Sequence, residues 1–174
     1  QDRDELVWIG HQRGLSQYSP SDKQFHHWSN NGSGQVVDLI VPNGRGGVWL
    51  ASRRAELFEL DTHFAVLSKS PREITGGDIE QITAREHSIL LAGIGGLRGL
   101  EKAPAHGNTQ NPLRIVRQPI IEPVYAFAEC VNFLWAALDK RLVALDKASL
   151  VERRSLARPV GLASDIGGMA CRGD

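Results

Sequence analysis

Leu6-Val7-Trp8-Ile9-Gly10 returns three times along the chain, as Gly47-Val48-Trp49-Leu50-Ala51, Ile89-Leu90-Leu91-Ala92-Gly93 and Leu134-Trp135-Ala136-Ala137. Trp8, Trp49, Leu90 and Trp135 stand 41, 41 and 45 residues apart. A period in the low forties, filled by several short strands per unit, is the sequence signature of a β-propeller blade. The fold class that follows is all-β: a β-propeller of four-stranded antiparallel blades, about four of them, in a single domain spanning residues 1–174.

Each unit divides into four strands. The first reads Val36-Val37-Asp38-Leu39-Ile40-Val41, then Ile79-Glu80-Gln81-Ile82-Thr83-Ala84, then Val124-Tyr125-Ala126-Phe127-Ala128. It is expected to line the central channel. The second carries the repeated Trp. It is apolar on both faces, as a strand sandwiched between neighbouring sheets must be. Trp8, Trp49 and Trp135 are accordingly expected in the core. The third reads Leu15-Ser16-Gln17-Tyr18, Leu57-Phe58-Glu59-Leu60-Asp61, Leu97-Arg98-Gly99-Leu100-Glu101 and Leu142-Val143-Ala144-Leu145-Asp146. The fourth is more polar, as in Arg114-Ile115-Val116-Arg117, which suits an outer edge where charge discourages pairing with other chains. Asn43-Gly44-Arg45-Gly46-Gly47 and Ser19-Pro20-Ser21-Asp22 punctuate the strands as turns. No helix of useful length is expected.

The ends of the repeat complement each other. Residues 165–172 align with 78–85 and read as a lone first strand, whereas the repeat opens at a second strand. Three arrangements follow. The last strand pairs with Leu6-Val7-Trp8-Ile9-Gly10 and closes a four-bladed ring; the chain is an arc of a larger propeller; or two copies associate through their blade edges into one eight-bladed ring.

Composition narrows the function. Apolar residues make up 41% and charged residues 23% of the chain, the balance of a globular domain. Twenty basic and twenty acidic residues cancel. A neutral chain lacks the broad positive field of a nonspecific nucleic-acid binder. No apolar run is long enough for a membrane helix. Cys130 and Cys171 are too few for a disulfide framework or a zinc site and are expected as small buried hydrophobes.

Leu6-Val7-Trp8-Ile9-Gly10-His11-Gln12-Arg13-Gly14-Leu15-Ser16-Gln17-Tyr18 resembles the two-component-regulator propeller repeat, roughly G-x-L-W-I-G-T-x-x-G-L-x-x-Y/F. The resemblance is good in this unit. It is looser in the second, lacks the Trp in the third and lacks the glycine after it in the fourth. It implies a bacterial extracytoplasmic sensor, periplasmic or extracellular, whose propellers precede a membrane helix and a signalling output domain. Several members of that family respond to oligosaccharides.

The turns joining second to third strands are His11-Gln12-Arg13, Ser52-Arg53-Arg54, Ile94-Gly95-Gly96 and Asp139-Lys140-Arg141. Three of the four are basic, and successive blades present them at one end of the channel. Guanidinium forks there suit carboxylates or sulfates, which they bind bidentately. His11, Arg13, Arg53, Arg54, Lys140 and Arg141 are therefore the candidate site, with an acidic oligosaccharide or other small anion as ligand. Solvated loop charge or blade-to-blade ion pairs are the plainer account of the same residues. No nucleophile elbow, zinc helix or phosphate loop is present, so neither catalytic residues nor a cofactor or metal is expected. His11, His87 and His106 fall on different loops with no evident convergence, which leaves a metal-dependent propeller lyase as the lesser alternative. An interaction scaffold is the other alternative.

Overall fold

The computed structural model describes residues 6–29, 36–52, 56–70, 72–86, 88–103, 113–157 and 169–171. Four antiparallel sheets follow one another along the chain, each a simple meander. The first contains β1 (Val7–His11), β2 (Gly14–Ser19) and β3 (Gln24–Trp28). The second contains β4 (Leu39–Pro42), β5 (Val48–Ala51), β6 (Leu57–Leu60) and β7 (Val66–Ser70). A single turn of helix, α1 (Arg72–Thr75), leads into β8 (Ile79–Ala84), β9 (Ser88–Gly93), β10 (Gly96–Lys102) and β11 (Leu113–Ile120). The last sheet is β12 (Ala126–Glu129), β13 (Phe133–Ala137), β14 (Arg141–Asp146) and β15 (Glu152–Ala157). These are propeller blades. Among the described residues the first has three strands and the others four.

The core lies between blades, because a strand buried on both faces can satisfy two junctions at once. Along each second strand, alternate residues face opposite neighbours. Val48 and Leu50 join Leu15, Phe58 and Leu60 beneath blade 1, while Trp49 and Ala51 join Ile89, Leu91 and Leu100 against blade 3. Leu90 and Ala92 then meet Leu134, Ala136, Val143 and Leu145 of blade 4. The repeated Trp position thus always faces the following blade. Trp49 is buried, as expected. Trp8 and Trp135 are only half-buried, because each stands in a terminal blade with less chain around it.

Polar side chains carry the pairing from blade to blade where no strand ladder can. The Gln81 amide donates to the Phe127 carbonyl (2.9 Å) and accepts from the Phe127 amide (2.8 Å), tying β8 to β12 like a rung of sheet. Gln17 donates to the Thr62 carbonyl across the first junction (3.1 Å). Tight turns complete each blade. Gly96 opens β10 at φ 89°, where a Cβ would run into the Ile120 carbonyl, so glycine is required there.

One expectation about the chain's end changes. Cys130 and Cys171 are neither buried nor free: they form a disulfide with 5.6 Å between Cα atoms. The two lie 41 residues apart, one blade period. Of the strand expected to close a four-bladed ring, residues 169–171 lie against blade 4 and, among the described residues, β1 pairs with β2. The rest of that strand, 165–168 and 172, falls outside the described residues.

Candidate functional site

The meander puts second-to-third strand turns at one end of every blade. The structure places His11 at the tip of β1, Arg13 in the turn after it, Lys140 in the β13–β14 turn and Arg141 at the start of β14. Arg53 and Arg54 lie outside the described residues, as do His87 and His106.

These groups differ in what they are free to do. The Arg141 guanidinium is engaged: Nη2 sits 2.6 Å from Glu122 Oε1 and Nη1 3.7 Å from Glu152 Oε1. It is a clamp between the strand and the blade-to-blade crossing rather than a free cation. Arg13 and Lys140 are exposed, and among the described residues no carboxylate lies within ion-pairing distance of either. His11 is part of a hydrogen-bonded chain. The Arg13 backbone N–H donates to His11 Nδ1 (3.2 Å), so neutral His11 carries its proton on Nε2 and donates to Ser16 Oγ (3.0 Å). Ser16 Oγ also hydrogen-bonds His27 Nδ1 (2.8 Å). His11 therefore positions the Arg13 turn instead of presenting its ring as a ligand. None of these four residues lines the clefts described next.

A depression lies at the opposite end, where first-to-second and third-to-fourth turns gather. It is a cleft of about 320 Å3 between blades 2 and 3, with Trp49, Ile89 and Leu100 at its floor and Arg45, Arg85 and Lys102 on its walls. Glu59, only 2% exposed, anchors one wall. Its carboxylate takes Lys102 Nζ at 2.6 Å, the Ser68 hydroxyl at 3.2 Å and the Asn43 amide at 3.3 Å. Lys102 also stands 5.8 Å from the centre of the Trp49 ring. A buried carboxylate so fully partnered is structural, and it costs heavily if its cation is removed. Arg85 reaches the other way, its Nε 3.1 Å from Glu129 Oε1, with Lys147 Nζ 3.5 Å from the second oxygen. Arg45 has no carboxylate partner among the described residues.

Sequence reasoning missed this cleft, since its cations come from turns and from the end of a third strand in different units. Arg45 in its glycine-rich turn was the visible signal. Among the described residues no cluster of His, Cys, Asp and Glu could hold a metal ion, and no helix is long and apolar enough to cross a membrane.

Comparison with known proteins bears out the fold. No family model matches the chain, and no curated protein matches it. Solved structures do. PorZ, a bacterial surface component of the type-IX secretion system of Porphyromonas gingivalis, superposes with a TM-score of 0.67 at 14% identity, over 98% of this chain and 23% of that one. The β-propeller domain of Cps50 (Swd1) from Myceliophteria thermophila gives 0.65 at 9% identity, over 88% of this chain and 56% of that one. The extracellular domain of a putative hybrid two-component system from B. thetaiotaomicron gives 0.57 at 17% identity, over 87% of this chain and 22% of that one. The chain spans about half the length of the Cps50 domain and under a quarter of the other two. At these identities the likeness establishes a β-propeller fold, and the matched region is in each case an arc of a longer chain.

Proposed function

We propose that this chain is a ligand-binding part of an extracytoplasmic sensory propeller, and that its ligand is an anionic saccharide held at the end where Arg13 and Lys140 project. Two cations from different blades, exposed and unpaired among the described residues, carry the reading. Exposed cations without a carboxylate partner are available to a carboxylate or sulfate, whereas Arg141, next to Lys140 in the chain, is already neutralised by Glu122 and Glu152. Arg53 and Arg54, which follow β5 in the sequence, lie outside the described residues. The likeness to the extracellular domain of a two-component system supports the sensory role. The Cys130–Cys171 disulfide supports placement in an oxidising compartment, since cytosolic thiols are kept reduced. Binding rather than turnover is the function, with signalling carried by other domains.

Calorimetric titration with an oligogalacturonate and with a neutral maltooligosaccharide tests this. The acidic sugar is expected to bind and the neutral one not to, with affinity falling as salt shortens the screening length. Arg13→Ala/Lys140→Ala should weaken binding by about tenfold or more, the loss of at least one charge-assisted contact. Arg45→Ala should leave it unchanged. If Arg45→Ala abolishes binding while the double variant does not, the ligand sits in the cleft between blades 2 and 3. No binding of the acidic sugar removes the ligand class.

A further inference from the structure

The cleft between blades 2 and 3 sits at an interior junction, and it is more polar than the fold requires. The third-strand residue paired with the repeated Trp position is Glu59 in blade 2, Gly99 in blade 3 and Ala144 in blade 4. A buried carboxylate with its ammonium seldom adds stability over apolar residues of the same volume. The pair does set a cation in the cleft. Lys102 lines it with an ammonium that carries three N–H donors, of which Glu59 Oε2 takes one.

Arg45 lines the blade-2 wall, exposed and without an ion pair among the described residues. Its turn is held firmly. Asn43 Oδ1 accepts from the amides of Arg45 (2.9 Å) and Gly47 (3.0 Å), while Asn43 Nδ2 donates to Glu59 Oε1 (3.3 Å). Gly44 and Gly46, on either side of Arg45, stand at φ 75° and 86°, where glycine sits without strain. A cation carried on a fixed backbone loses less freedom when it binds. Arg85, from blade 3, lines the same cleft. Its Nε is spent on Glu129, but its buried Nη2 meets no acceptor among the described residues. A guanidinium N–H without an acceptor is costly and marks a place that lacks an oxygen.

The acids nearby are already committed. Glu59 holds Lys102, Glu129 is shared by Arg85 and Lys147, and Glu101 faces Arg114 at 3.8 Å. Glu86, exposed at the rim, has an interaction of its own. Arg45 is the charge left over. The hollow between blades 3 and 4 serves as an internal comparison. It measures about 170 Å3, has Leu90 and Gly99 where Trp49 and Glu59 stand, and its Arg117 already donates to the Ala148 carbonyl (2.8 Å).

We propose that the cleft between blades 2 and 3 is a second binding site, separate from the end where Arg13 and Lys140 project, and that it takes a small organic carboxylate. Arg45 forks the carboxylate from the rim, the match of a guanidinium to a planar two-oxygen group. Lys102 donates to it from the blade-3 wall. The rest of the ligand lies toward the floor of Trp49, Ile89 and Leu100. A volume of about 320 Å3 stands at the small end of pockets that hold organic ligands.

A proton–nitrogen NMR titration with butyrate, butanol and inorganic phosphate tests the site. Butyrate is expected to shift the amides of Arg45, Gly46 and Gly47 and the Trp49 indole N–H saturably, and butanol and phosphate to leave them in place. Arg45→Ala, an exposed position where folding is not at stake, should weaken butyrate binding by about tenfold, the loss of one charge-assisted contact. Arg13→Ala/Lys140→Ala should bind butyrate like the parent. The proposal is overturned by an absence of saturable shifts at these residues, or by an Arg45→Ala variant that binds as tightly as the parent. Butanol binding as well as butyrate would make the cleft merely apolar, and phosphate binding in its place would remove the carboxylate class. Loss of butyrate binding in Arg13→Ala/Lys140→Ala would move the carboxylate to the other end and overturn the proposal too.

Discussion

Trp49→Ala is expected to lower stability by about 3–5 kcal/mol, the range for truncating a large buried aromatic residue. Trp49 is 4% exposed and packs with Ile89, Leu91 and Leu100 of blade 3. Its removal opens a cavity in the middle junction of the arc. The loss extends further, because Lys102 stands over the indole while pairing with the buried Glu59. With the ring gone, Lys102 gains freedom and water gains a route to Glu59, so an ion pair closed to solvent on one side becomes partly wet. For a domain of this size, melting should fall by roughly 2–4 °C for each kcal/mol. Trp8→Ala serves as the internal comparison. Trp8 is half-buried against Phe64 in an edge strand, and the same substitution there should cost clearly less. Thermal or urea unfolding of both variants measures the difference. Equal losses would mean that burial at the repeated position does not set the stability of the arc.

Most of the fold was legible because propeller blades write their period into the chain. The strands named from the repeat coincide with β2, β6, β8 and β14 to within a residue or two. Glu59 shows where legibility stopped. In the sequence it is one acidic residue in a third strand; its burial depends on Lys102, a blade away, arriving at 2.6 Å. The basic turns were legible as a pattern of residue types, but the split within them was not. Arg141 is neutralised by Glu122 from the blade-to-blade crossing, and nothing local to Asp139-Lys140-Arg141 announces that partner. The cysteine pair was missed for a related reason. One period of separation is the distance at which residues of adjacent blades meet, so the repeat itself held the information once Cys171 was placed beside the fourth blade.

Opening that disulfide is the second large effect expected. Cys130→Ser/Cys171→Ser frees a loop that the bond closes over 41 residues. The loop-entropy relation gives about 4 kcal/mol for this length, near the top of the usual range of roughly 2–4 kcal/mol. The consequence should also be local. Residues 169–171 form one wall of an apolar cleft over Trp135 and Leu142, and Cys171 is their covalent link to blade 4. Without it, the contacts among the described residues that keep the segment on blade 4 are the apolar ones of Met169 and Ala170. Trp135, already half-buried, should become more accessible, whereas Trp49 behind two intact junctions should not. The measurement is acrylamide quenching of tryptophan fluorescence in the double variant and in the dithiothreitol-treated parent, each compared with the oxidised parent carrying Trp135→Phe to assign the signal. Quenching should rise in both reduced forms, and the rise should vanish when Trp135 is replaced. Loss of the bond with neither a drop in melting temperature nor a change at Trp135 would show that the segment is held on the blade by packing, with the disulfide adding nothing to it.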